Sequence, residues 1–321
     1  LCTHYHAVHP AWFCCYDCAF CYLAGSPGVA MSPTVRLFTN HLDILRAMGA
    51  VLSGKEGTHH AAPREQGTTI AVRRATAPSD VPSEARNPVS FYVGKVQDGL
   101  QLDPIAGFSR VLVPFVLAQE RAHLVFLTKS AAVDGVLQSM DARATAGHVA
   151  VSWSINAPEL SQRYEWGAPS FEQRLAAARR CAEAGLEVRL IFMPLLPVEG
   201  WREVYSAAVA AALGSVRPAR ITLGAICSYP CAMSHTKARL GDGAVVPALA
   251  TSRHGRRLRF DLETRTEMYR HLTAEVRRLA PGVPVSLCLE SETAWRQSGL
   301  DPADCRCNCI AGSCDVRTRR D

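Results

Sequence analysis

No apolar run in this 321-residue chain reaches the length of a membrane span, and no basic stretch followed by an apolar core opens it. Neither a spanning helix nor a secretory leader is therefore expected, and Leu1 in place of methionine reads as a trimmed start. Strong charge is lacking too: 35 Lys and Arg against 29 Asp and Glu leave a net +6. That balance permits an anionic substrate but does not by itself establish nucleic-acid binding. Cysteine is absent between Cys21 and Cys181, although the chain holds thirteen. Their gathering at the two ends, at metal-like spacings, argues against a disulfide framework and for bound iron in a reducing cytoplasm.

What is present suits an α/β enzyme. Apolar residues make up 48% of the chain, enough to bury one large core. Residues 34–51 read as a short strand and a helix. Residues 54–87 are polar and rich in Pro, Gly and charge, without periodicity, and are expected to form a surface insertion. Beyond them, β-rich apolar runs at 89–93, 123–128, 148–153, 188–192 and 220–226 alternate with helical patterns at 108–121, 131–140, 171–184 and 201–213. This alternation predicts βαβ units on a parallel sheet. With a short strand before the first cysteines, about six units give a partial (β/α)6-type barrel over residues 1–230, followed by a cysteine-rich extension over 231–321. Chemistry in such folds sits at the C-terminal ends of the strands.

The run Trp12-Phe-Cys-Cys-Tyr-Asp-Cys-Ala-Phe-Cys-Tyr22 places Cys14, Cys18 and Cys21 as Cys-x3-Cys-x2-Cys. Three thiolates on one loop can hold three irons of a [4Fe–4S] cube and leave the fourth open to a small ligand. Two other readings compete. Cys15, Cys18 and Cys21 fit the start of a ferredoxin run, but no cysteine followed by proline closes it. A zinc knuckle would need a further ligand, which His4, His6 or His9 could supply. A second constellation, Cys288, Cys305, Cys307, Cys309 and Cys314, exceeds what core packing requires. Cys288, Cys305, Cys307 and Cys309 are expected to bind a second [4Fe–4S] cluster, with a structural zinc as the plainer alternative. Cys227 and Cys231 are read as structural thiols, as is Cys181.

The first loop, with Phe20 and Tyr22 beside its last cysteine, resembles the radical S-adenosylmethionine superfamily. Several further segments are similar to the spore photoproduct lyase family: Val35–Asn40, Phe126–Lys129, Ser152–Asn156, Ser170–Arg179 and Val188–Trp201. The resemblance implies that Tyr22, Lys129, Ser154 and Asn156 bind S-adenosylmethionine. It also implies a 5'-deoxyadenosyl radical and an electron donor such as flavodoxin or ferredoxin. A lysine can pair a carboxylate, and Ser and Asn suit ribose hydroxyls. The family's hydrogen-donating cysteine falls in the segment matching Tyr92–Asp98, which has none here.

The expected function is hydrogen abstraction from a nucleoside-like or other small biosynthetic substrate, with sulfur insertion by the second cluster as the favoured outcome. A nucleic-acid lesion lyase is the alternative within the superfamily. A non-catalytic zinc module is the alternative outside it, and its lack of brown colour would reveal it.

Overall fold

Alternation within the apolar segments decides how the sheet is built, because successive side chains of a strand point to opposite faces. The computed structural model describes residues 5–25, 35–54, 73–74, 88–140, 147–240, 252–254 and 257–312. Among them, seven strands run parallel: β1 His6–Val8, β2 Val89–Val93, β3 Ala122–Thr128, β4 Val149–Ile155, β5 Glu187–Leu195, β6 Arg220–Ala225 and β7 Val285–Leu287. They lie side by side in chain order. Every connection is therefore a crossover, as in a barrel that has not closed. The six strands expected from sequence are β1 to β6. The seventh comes from the segment assigned to the extension and continues the same sheet. Arg73–Arg74 pairs antiparallel with β1, and apart from Gly54 the rest of the expected 54–87 insertion lies outside the described residues.

Helices cover the outer face, where Phe91, Leu124, Phe126, Val151, Trp153, Leu190, Phe192 and Leu223 are fully buried. Helix Phe171–Glu183 begins at a capping box, with Ser170 accepting from the Gln173 backbone and the Gln173 side chain accepting from Ser170 N–H. The expected helix over 108–121 is shorter, Ser109–Leu117, and that over 131–140 shrinks to Asp134–Gln138. No described helix is long and apolar enough to cross a membrane.

The inner face is polar. In register across it stand Ser90 and His123, then Ser152, Arg189 and Arg220, then Thr222 and Ser286. Residues 305–312 fill this concavity. Arg220 Nη1 donates to the carbonyls of Cys307, Ile310 and Gly312 at 3.1–3.4 Å, and Nη2 to Ala311 at 3.1 Å. Arg189 donates to Asn308 O at 2.6 Å, Ser152 to Asn308 Oδ1 at 2.7 Å, and Ala311 N to Ser90 Oγ at 2.9 Å. Glu187 offsets both guanidiniums. Thus the sheet's polar residues satisfy the backbone of a segment that has no regular partner of its own. His123 accepts from Arg189 through Nε2, which leaves the proton on Nδ1. Burial, with Arg189 and Arg220 beside it, pushes its pKa down to about 3.

Two outcomes follow from this packing. Arg220→Met should strip four carbonyls of their donor and lower stability by about 3 kcal/mol in chemical denaturation. His123 binds its proton in the unfolded chain near pH 6.5 but in the folded one only near 3. Stability should therefore be lost as the pH is lowered through that window. His123→Gln should flatten that part of the profile, and an unchanged acid limb would show that the imidazole does not carry it.

Candidate active site

At the C-terminal ends of β2 to β6, the cysteine loop roofs a cavity of about 200 Å³. Its roof and walls include Cys14, Cys18 and Cys21, with Tyr22, Lys129 and Ser154. Cys15 is exposed instead, its N–H donating to Gln101 Oε1 at 2.9 Å. The remaining walls are largely apolar, from Phe20, Leu127, Ile191, Met193, Pro194 and Ile226. Such walls exclude water from whatever reacts inside.

Short local contacts hold the roof in place. Phe13 N donates to Val96 O at 3.1 Å and Ala19 N to Tyr164 O at 2.8 Å. Cys18 stands opposite Glu165 in a two-residue antiparallel pair. The Glu165 carboxylate is fully buried between Lys129 Nζ at 2.7 Å and Arg174 Nη1 at 2.6 Å. It also accepts from Ser161 Oγ at 2.9 Å. Burial alone would raise this carboxyl, but the two cations overcome it and hold it below the usual carboxylate range. Lys129 Nζ donates in addition to Ser154 Oγ at 2.7 Å. The backbone of Lys129 is pinned by Asp98, whose Oδ2 accepts its N–H at 2.6 Å while Oδ1 accepts from Leu100 and Gln101. At Gly94 (φ +127) the loop carrying Asp98 lies so close to β3 that a Cβ would meet Leu127 O at 2.5 Å.

Sequence reasoning named Tyr22, Lys129, Ser154 and Asn156, and three of these line the cavity. Asn156 does not: it is fully buried behind the wall, its Nδ2 donating to Pro194 O at 3.0 Å and its Oδ1 accepting from Ala157 N. Tyr22 donates its hydroxyl to Lys95 O. Cys227, read as structural, lines the cavity with Sγ 3.8 Å from Arg257 Nη1, whereas Cys231 is exposed on helix Pro230–Leu240. Glu165, Asp98 and Arg174 were missed, because their place beside Lys129 appears only once the loops after β2 and β4 fold back onto the end of β3.

Three soft sulfur donors share one cavity, as separate irons of a cluster require. Burial, with Asp98 nearby, pushes the Cys14 thiol well up, and burial pushes Cys18 up to about 12. A bound iron cluster would supply the cation that ionises such thiols, and it is the set of three sulfur donors that suits one. The tail cysteines are placed differently. Cys305 and Cys307 are buried in the main core, and Cys309 packs against Tyr92, Val125 and Ala150. Cys288 follows β7 near Gly224, and Cys314 lies outside the described residues. None of the four described ones lines the cavity. No three His, Cys, Asp or Glu among the described residues converge tightly enough to grip a single metal ion. The second cluster expected from sequence gains no support from these positions, and the backbone carrying Cys307 and Cys309 is held by Arg189 and Arg220.

A family model described as spore photoproduct lyase matches residues 77–223. A curated relative, the spore photoproduct lyase of Geobacillus sp. (strain Y412MC61), is 24% identical over 200 residues, 62% of this chain and 48% of that protein. The chain spans about half the length of the curated relative it matches. Among solved structures, a spore photoproduct lyase complexed with dinucleoside spore photoproduct has a TM-score of 0.69 at 21% identity, covering 88% of this chain and 76% of that one. A double variant of spore photoproduct lyase with bound AdoMet and the dinucleoside has a TM-score of 0.68 at 21% identity, over 87% and 74%. The chain resembles the spore photoproduct lyase family in sequence, and its fold is that of these lyases.

The buried charges predict an asymmetry. Lys129→Met leaves Glu165 with Arg174 and Ser161, so stability should change by no more than about 1 kcal/mol. Glu165→Gln leaves two cations facing each other and should cost about 3 kcal/mol or more in urea unfolding. Equal losses would show that Lys129 serves the fold rather than a ligand.

Proposed function

We propose that this chain is a radical S-adenosylmethionine lyase acting on a nucleic-acid lesion of the spore-photoproduct kind. The observation that carries the reading is the shared cavity: Cys14, Cys18, Cys21, Lys129 and Ser154 line it. The surrounding fold matches lyases solved with a dinucleoside lesion and AdoMet. Cys14, Cys18 and Cys21 would hold one [4Fe–4S] cluster. When bound, cluster and cofactor supply a carbon-centred radical by reductive cleavage of the sulfonium.

The chain's own residues position and confine that chemistry. The Lys129 ammonium has three donors, two of them directed at Glu165 and Ser154, which leaves one for a cofactor carboxylate. Lys129, Glu165 and Arg174 sum to one net positive charge, suited to a single carboxylate. Ser154, anchored on Met193 O at 3.1 Å, offers a hydroxyl toward the ribose. Asn156 supports the wall at Pro194 from behind rather than meeting the ligand. Cys227 and Tyr22 supply an S–H and a phenol on the cavity wall, where the segment Tyr92–Asp98 holds no thiol. Sulfur insertion by a second cluster has no support in this geometry, because the tail cysteines are committed to the core and the floor of the sheet.

Anaerobic reconstitution with iron, sulfide, S-adenosylmethionine and dithionite tests the reading, with dinucleoside spore photoproduct as substrate. Brown protein, 5'-deoxyadenosine and repaired dinucleoside are expected. Alanine at Cys14, Cys18 or Cys21 should abolish 5'-deoxyadenosine, and Cys15→Ala should retain most of it. Cofactor cleavage without any change in the dinucleoside would remove the lesion-lyase reading and leave only the radical chemistry.

A further inference from the structure

Most polar side chains on the cavity wall already have partners within the protein. Asp98, Thr128, Lys129 and Ser154 are all hydrogen-bonded. Two are not. Gln97 is 4% exposed, and neither Nε2 nor Oε1 has a hydrogen-bond partner among the described residues. Ser228 is 2% exposed with Oγ equally unpartnered, and both residues line the cavity.

Their backbones are fixed. Gln97 precedes Asp98, which is stapled to β3, and Ser228 exchanges two backbone hydrogen bonds with Leu258 at 3.1 and 2.7 Å. They follow β2 and β6, so three strands separate them and they flank the mouth from opposite sides. A buried polar group without a partner costs about 1–3 kcal/mol. Two of them in one cavity mark a place where a ligand, not the protein, completes the hydrogen bonding.

We infer that Gln97 and Ser228 form the substrate-reading subsite, with the Gln97 amide pairing the amide or imide edge of a nucleobase. This inference rests on the proposed function and names the residues that recognise its substrate. The side-chain amide offers one donor and one acceptor side by side, and its complement is an edge with an adjacent acceptor and donor. Nucleobases carry such edges, and enzymes that act on an extruded base read them this way. A charged head group is served instead by Lys129, which already has that charge. The Ser228 hydroxyl, able to donate or accept, takes a second polar group of the same ligand.

The experiment is calorimetric titration of the reconstituted protein, with S-adenosylmethionine bound, using dinucleoside spore photoproduct and a copy methylated at the ring N–H groups of its bases. Methylation should weaken binding to the unaltered protein by roughly tenfold, the loss expected when a bidentate pair is broken. Gln97→Ala should lose a similar factor for the parent dinucleoside and become indifferent to methylation. Gln97→Glu, which keeps the shape but has no donor, should also lose it. In the ligand-free chain, Ser228→Ala should raise the melting temperature, because it removes an unsatisfied hydroxyl. Equal binding of both dinucleosides by the unaltered protein would overturn the inference while leaving the lyase reading intact. Weakened S-adenosylmethionine binding in the Gln97 variants, with dinucleoside affinity unchanged, would overturn it as well. Failure to bind either dinucleoside, with 5'-deoxyadenosine still formed, would sink the substrate reading and this inference together.

Discussion

Glu165 is the point at which roof, wall and scaffold meet. A carboxylate with no access to solvent is stable only when cations and donors surround it, and here Lys129, Arg174 and Ser161 do so. Each partner belongs to a different part of the site. Lys129 directly follows β3, Arg174 sits in the helix that follows the Ser170 cap, and the backbone of Glu165 pairs with the cysteine loop at Cys18. One buried charge therefore sets how far the cysteines stand from the ammonium. The Asp98 staple repeats the device on the other side of Lys129, through backbone rather than charge.

Periodicity made the sheet legible. Stretches such as Val149–Ile155 alternate large apolar and small polar residues, and the apolar set packed outward under helices as such a pattern requires. The spacing of Cys14, Cys18 and Cys21 likewise pointed to one loop facing one cavity, and the structure places all three there. Glu165 and Asp98 gave no signal, because a lone acid in a short polar stretch looks like any solvated charge until its distant partners are known. Gln97 was silent because only the fold shows that its amide is buried beside the cavity. Seven-residue strands announce themselves by pattern, whereas the three residues of β1 and of β7 are legible only as short strands beside cysteines.

The cysteine-rich tail has a packing role that composition alone does not show. Close spacing of cysteines is a local property and suggests metal. Where those sulfurs point is decided by Arg189, Arg220, Ser152 and Ser90, which lie on four strands more than 100 residues away in the case of Arg189. Their pull on backbone carbonyls turns the segment into a floor for the sheet, and the thiols of Cys305 and Cys307 then behave as small apolar groups.

That floor also orders the events of folding. The contact between Ala311 and Ser90 closes a loop of 221 residues, among the most expensive kinds to form early. On a ribosome, β2 to β6 would emerge long before the segment that neutralises their inner face. Until it arrives, two guanidiniums and an imidazole stand in an open concavity with only Glu187 and water for company.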